Sequence, residues 1–317
     1  MPDVALWTDC NQACAFCSNP GGDYRSRSEE HSLEALKARL GRHREGRQAF
    51  AKFDEVRDYF TLTGGEPTLH PEFFAAVEYI RREFPRRELR LLTNGRSLAG
   101  EPFAARLLQT AGTPFETAVL FCGPDAATHE RIAGAAPGSF QQTVRGVDQY
   151  LRLRTDGQRL ELRVILTALQ MPSLEATLSF LSERFPEADR LVLIFAELEG
   201  RALWRLEELR MPMAECARRL DGMFALLEIF REARLYHFTP CVLAPRLWPF
   251  LWNTLDEKKV VHAFACRDCP TRSLCGGIHK SYARHVGVGD FAAIREPEGI
   301  SRTGSRYHPV EASPVLR

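Results

Sequence analysis

The chain has 317 residues, 44% of them hydrophobic, with 42 Lys and Arg set against 41 Asp and Glu for a net charge of +1. That length suits one large α/β domain with an appendage, and the balanced charge gives no electrostatic case for nucleic acid or an anionic membrane as partner. No apolar run reaches the roughly 18–20 residues of a membrane span, and the N-terminus lacks the charged and apolar segments of a secretory signal, so a cytoplasmic protein is expected.

From residue 4 to about 197, short apolar runs alternate with amphipathic stretches. Val4–Trp7, Tyr59–Leu62, Leu89–Leu92, Ala118–Phe121, Leu160–Leu166 and Leu191–Phe195 read as six buried strands. Phe73, Phe74, Val77 and Ile80 mark one intervening helix, with Pro71 suited to its first turn. Phe140, Val144, Val147 and Leu151 mark a second behind a Ser139 cap. Leu174, Leu178, Leu181 and Phe185 mark a third behind Ser173. Strands separated by single helices pair in parallel through right-handed crossovers. Six units fall short of a closed eight-fold barrel, so a partial (β/α)6 barrel over residues 1–200 is expected, with a flat doubly wound sheet as the fallback. Residues 203–235 read as helical within a second region, 201–295, and residues 296–317 as an extended tail. Basic clusters such as Arg25-Ser-Arg27 and Arg81-Arg82 read as solvated surface.

Nine cysteines in a reducing compartment point to metal or redox chemistry before disulfides. Cys122 and Cys216 stand alone and read as small buried hydrophobes. Cys10, Cys14 and Cys17 follow the first strand. Three thiolates can hold a cubane cluster and leave one iron open, whereas structural zinc wants four closed ligands; His31 is too distant to be an obvious fourth. Thr63-Gly64-Gly65-Glu66-Pro67 follows the second strand and Thr93-Asn94-Gly95 the third, so all three motifs sit at C-terminal strand ends.

These motifs resemble those of the radical S-adenosylmethionine (SAM) superfamily: a Cys-x3-Cys-x-aromatic-Cys loop, a GGE segment and a TNG segment. The resemblance covers residues 4 to about 197. It implies a [4Fe–4S] cluster on Cys10, Cys14 and Cys17, Phe16 near the adenine, and Gly64, Gly65, Glu66, Thr93 and Asn94 around SAM. Arg163, in the fifth strand, is either a SAM contact or an outer-face salt bridge. His129 and Glu197, after the fourth and sixth strands, are candidates to hold substrate or move a proton. The implied chemistry is reductive cleavage of SAM to a 5′-deoxyadenosyl radical that takes a substrate hydrogen.

Cys266-x2-Cys269-x5-Cys275, with Cys241 upstream, offers four thiolates, a count that suits zinc and a fully ligated [4Fe–4S] cluster alike, and redox neighbours favour iron. The spacing resembles SPASM and twitch auxiliary-cluster domains, with His279 where the SPASM pattern continues with cysteine. One auxiliary cluster is therefore expected, His279 being a weaker alternative ligand and Trp248, Phe250 and Trp252 packing around it. The region is similar to that of radical maturases of His-Xaa-Ser peptide systems. That resemblance implies oxidative modification of a ribosomally made precursor peptide. The alternative is a small-molecule substrate, in a dehydrogenase or a step of cofactor or antibiotic biosynthesis. A reductant such as flavodoxin or ferredoxin is implied. With the cluster loop starting at residue 10, leader recognition is expected from a separate protein or from the C-terminal region.

Overall fold

The computed structural model describes residues 3–19, 29–47, 59–296, 298 and 300–311; the Arg25–Arg27 cluster lies outside them. All six expected strands form, as β1 (Asp3–Trp7), β2 (Tyr59–Gly64), β3 (Glu88–Thr93), β4 (Phe115–Leu120), β5 (Gln158–Leu166) and β6 (Arg190–Phe195). Between them run α1 (Leu33–Arg44), α2 (Phe73–Glu83), α3 (Glu101–Ala111), α4 (Ala126–Ala133), α5 (Ser139–Leu153) and α6 (Leu174–Arg184). The strands are buried almost without a break, as parallel strands covered on both faces must be. Gly138, in a left-handed turn, is the N-cap of α5; Ser139 lies inside the helix and donates instead to the Ala136 carbonyl.

The sheet is parallel and has eight strands, in the order β1 to β8. Each strand lies beside its chain neighbour with no reversal, which rules out the doubly wound fallback, whose strand order must switch direction. The two extra strands come from the stretch expected to be helical. There the helix breaks at Pro212, which lacks a backbone donor, into α7 (Leu206–Leu209), α8 (Met213–Gly222) and α9 (Phe224–Ile229). The chain then enters β7 (Ala233–Tyr236) and β8 (Leu251–Trp252), paired in parallel with β6 and with each other. Arg234 is tolerated inside buried β7 because Glu232 pairs with it and its guanidinium lies over the Trp252 ring, 3.5 Å from the centroid.

Two compact units divide the chain: residues 1–14, 19–163 and 187–189 form the first, and 15–18, 164–186 and 190–317 the second. After β8 the second unit is built from two-residue strands β9 (Val260–Val261) and β10 (Ile278–His279), single 3-10 turns, and α10 (Lys280–His285). Residues 300–311, expected to extend freely, instead carry a hairpin of β11 (Ser301–Arg302) and β12 (Val310–Glu311). Its loop is held because Asn253 donates to the Tyr307 carbonyl and His308 stacks on Trp252 at 4.6 Å. No described helix is long and apolar enough to cross a membrane.

Candidate functional site

In the first unit the Gly-Gly-Glu segment is a splice between the ends of β1 and β2. The backbone N–H groups of Gly65 and Glu66 donate to the carbonyls of Trp7 (2.7 Å) and Asp9 (2.8 Å). A Cβ on Gly64 would sit 2.0 Å from the Trp7 oxygen, and one on Gly65 2.2 Å from the Asp9 oxygen. Gly64 also has φ +124°, open to glycine at no steric cost. The two glycines thus fix the strand end that launches the Cys10 loop, a reason separate from the ligand approach expected of them.

Glu66 is fully buried and acts as the hub of the motifs. It accepts from the Thr68 N–H (3.2 Å) and hydroxyl (2.7 Å), from the Thr93 hydroxyl (2.7 Å) and from the Asn94 N–H (2.8 Å). Burial raises its pKa, and these four donors oppose the rise. Asn94 in turn donates to Asn11 Oδ1 (2.7 Å), and Arg96 donates to the Asn11 carbonyl (2.9 Å). The second and third motifs therefore hold the cysteine loop by its own backbone and by Asn11, which sequence reading passed over. On the loop's other side, Ala13 N–H donates to the Ala133 carbonyl (3.0 Å), beside Gly134, whose absent Cβ would meet the Ala13 oxygen at 2.4 Å. Cys10 and Cys14 are half-buried in this unit. Cys17, also half-buried, belongs to the second, where its carbonyl accepts from Ala202 N–H (2.9 Å) and where Phe16 is buried.

Arg163 forms an ion pair, as one reading of it expected, and the pair is buried. Its partner is the fully buried Glu161, and Arg163 Nη2 has no hydrogen-bond partner. His129 is placed away from open space. Its ring is buried against Phe121 and Phe140, and Nδ1 accepts the Cys122 N–H (3.2 Å). Burial lowers its pKa to about 4, so it is a neutral brace for the turn after β4. Cys122 and Cys216 are buried as expected.

In the second unit Cys241, Cys266, Cys269 and Cys275 line one small cavity, with Thr239, Thr271, Arg272 and His262 on its wall. Cys241 and Cys269 lie against the hydroxyls of Thr239 (3.2 Å) and Thr271 (3.3 Å), and Gly277 N–H donates to Cys275 Sγ (3.4 Å). Burial, together with the three neighbouring thiols, pushes Cys275 up to about 12, the crowding a metal centre would relieve. His262, unnoticed in the sequence, faces the cavity; His279 does not. Trp248, Phe250 and Trp252 also lie outside its lining. Trp248 donates to the Leu243 carbonyl, and Trp252 packs on Arg234 and His308.

His279 turns instead toward Glu197 and Glu199. Its Nε2 stands 3.5 Å from Glu197 Oε2 and 3.7 Å from Glu199 Oε1. Lys259 Nζ binds Glu197 Oε2 at 2.7 Å, and His237 Nε2 lies 3.9 Å from Glu197 Oε1. Of these five residues, only Glu197 and His279 stood out in the sequence, because a cluster gathered from four segments leaves no spacing signal.

Residues 4–160 match the radical SAM superfamily. The chain is a member of that superfamily. The Streptococcus suis protein SuiB bound to its precursor peptide SuiA shares 12% identity and a TM-score of 0.54 over 73% of this chain and 47% of that one. SuiB bound to SAM gives 14% identity and a TM-score of 0.52 over 74% and 48%. The radical SAM chain thus spans about half the length of these structures, and at such identity the likeness is one of fold. No curated protein matches it in sequence. A radical SAM fold takes SAM and a [4Fe–4S] cluster, and the residues present fit both. The loop supplies three thiols, the number that leaves one iron open, and the unpartnered buried donor of Arg163 suits an anionic ligand group.

Proposed function

We propose that this radical SAM enzyme oxidatively modifies a ribosomally made peptide, with one auxiliary [4Fe–4S] cluster on Cys241, Cys266, Cys269 and Cys275. The observation that carries this reading is the thiol cavity of the second unit. Four thiols saturate one centre, which favours electron transfer over direct substrate ligation. The SuiB structure holds a precursor peptide, and a peptide is the substrate class proposed here.

When bound at Cys10, Cys14 and Cys17, the first cluster and SAM supply a 5′-deoxyadenosyl radical that takes a hydrogen atom from the substrate. The chain's part is positional. Gly64, Gly65, Glu66, Thr93 and Asn94 hold the loop and present the amine-binding edge, with one lone pair of Glu66 Oε2 still available. Arg163 Nη2 would hold the carboxylate of SAM, and Phe16 would lie near the adenine. A flavodoxin or ferredoxin supplies the electron in the cytoplasm.

Anaerobic reconstitution with counts of iron, sulfide and zinc tests the reading. About eight irons are expected per chain, and about four in a variant with Cys241, Cys266, Cys269 and Cys275 all changed to Ala. Peptides encoded beside the gene are expected to stimulate 5′-deoxyadenosine formation. Four irons with one zinc would overturn the redox role of the second unit. Stimulation by a small alcohol or sugar but by no peptide would overturn the substrate class.

A further inference from the structure

The group at the C-terminal ends of β6 and β7 has its protons fixed by the backbone. His237 Nδ1 lies 3.0 Å from the Phe195 carbonyl, which can only accept, so Nδ1 carries the hydrogen and Nε2 is a bare lone pair. His279 has the opposite tautomer: Nδ1 accepts the Ser281 N–H at 3.1 Å and also meets the Ser281 hydroxyl at 2.6 Å, so Nε2 carries the hydrogen. Burial lowers the pKa of both rings, His237 to about 4. With both imidazoles neutral, Lys259 is the cation beside Glu197, 2.7 Å from Oε2.

Glu197, Glu199 and His279 have the arrangement of a metal site, but the His279 tautomer leaves no lone pair on Nε2 to ligate, and Lys259 already holds the Glu197 oxygen. What the group lacks is a proton in one place. Glu197 Oε1 and His237 Nε2, two acceptors, face each other at 3.9 Å, while the other oxygen, Oε2, is held by Lys259 and faces the buried Nε2–H of His279. His237 keeps this position in left-handed backbone, φ +70°, uncommon outside glycine and concentrated at working sites. Catalytic groups of such sheets sit at C-terminal strand ends.

We propose that Glu197 is the base of this site, accepting through Oε1 the proton released as the substrate is oxidised and sharing it with His237 Nε2, while His279 and Lys259 aim the carboxylate. This rests on the oxidative reading above. A carbon radical bearing a neighbouring X–H, where X is nitrogen, oxygen or sulfur, becomes C=X by losing one electron and one proton. The electron goes to an acceptor of the iron–sulfur class, and the X–H proton to Glu197. Loss of the electron makes the X–H strongly acidic, so a carboxylate of low basicity suffices.

The holoenzyme without substrate gives the first readout. In long-range ¹H–¹⁵N spectra of ¹⁵N-histidine protein, His279 is expected as the Nε2–H tautomer and His237 as Nδ1–H, both unchanged from pH 6 to 8. Zinc added to the holoenzyme is expected to leave on dialysis. An Nδ1–H tautomer at His279, or one retained zinc lost in Glu197→Gln, would overturn the proposal whether or not a substrate is known. With a peptide that passes the deoxyadenosine screen, deuterated at the abstracted position, Glu197→Gln is expected to transfer deuterium to 5′-deoxyadenosine within about threefold of wild type. Finished product is expected to fall at least 100-fold, the lower range for a general base. His279→Gln, which can still donate, is expected to retain more product than His279→Leu and to leave the pH profile of product formation in place, whereas His279→Leu shifts it. Equal loss of deuterium transfer and product, or undiminished product, would overturn the assignment. No deuterium transfer in wild type would overturn the radical reading instead.

Discussion

The two cysteine centres are held in opposite ways. Around Cys10 and Cys14 the protein has satisfied itself: glycine-tight backbone splices, a buried Glu66 with four donors, and Asn11 tied to Asn94 and Arg96. Around Cys241, Cys266, Cys269 and Cys275 there are single 3-10 turns, two-residue strands and a cavity. The first centre is a preformed socket on a sheet; on the reading proposed above, the second takes its shape from what its thiols bind, as small metal-held folds do.

The largest expected effect falls on the socket. Gly65→Ala places a Cβ 2.2 Å from the Asp9 carbonyl oxygen, where only backbone could yield. A loss of at least about 3 kcal/mol is expected in denaturant unfolding, together with loss of iron at the first centre. Next comes metal removal. Changing Cys241, Cys266, Cys269 and Cys275 to Ala is expected to raise the rate of limited proteolysis within residues 240–295 at least about tenfold, while changing Cys10, Cys14 and Cys17 to Ala leaves that rate unchanged. Equal effects from the two variants would erase the contrast.

The pH dependence sharpens it further. His129 has a folded pKa of about 4 against about 6.5 in an unfolded chain. Its depressed pKa contributes stability that is fully present above pH 6.5 and lost as pH falls through 4, about 3 kcal/mol in all. His129→Gln is expected to flatten that slope in the first unit. The slope in the second unit remains, because His237 is shifted the same way; hydrogen exchange at pH 7 and pH 5 reads the two separately. The smallest effect is expected at Gly276→Ala, whose Cβ would meet the Asn253 side chain at 2.7 Å. A side chain can move, so a cost within about 2 kcal/mol is expected in the same unfolding measurement.

What could be read from the sequence follows the range of the interactions. The six strands of residues 3–195 were visible because a buried parallel strand is a continuous apolar run, and the three motifs because each is contiguous. β7 was hidden because four residues, one of them Arg234, give no apolar run; its charge is offset by Glu232 and Trp252, which no local pattern shows. His129 read as a candidate to hold substrate or move a proton because only the fold reveals the Cys122 N–H it accepts. Glu199, His237 and Lys259 were missed because their meaning lies in a tautomer and a gap, set by Phe195 and by Ser281 from distant segments.

The hairpin after residue 300 has a consequence for handling the protein. β8 is the last strand of the sheet and is only two residues long. An open strand end of this kind is a template on which another chain can pair. The Tyr307 carbonyl takes the Asn253 N–H just beyond β8, and His308 covers Trp252, so this return of the chain serves as a selvedge against fraying and intermolecular association. Trimming the chain before residue 300 would strip that border and is expected to increase light scattering on concentration, with every cysteine still in place.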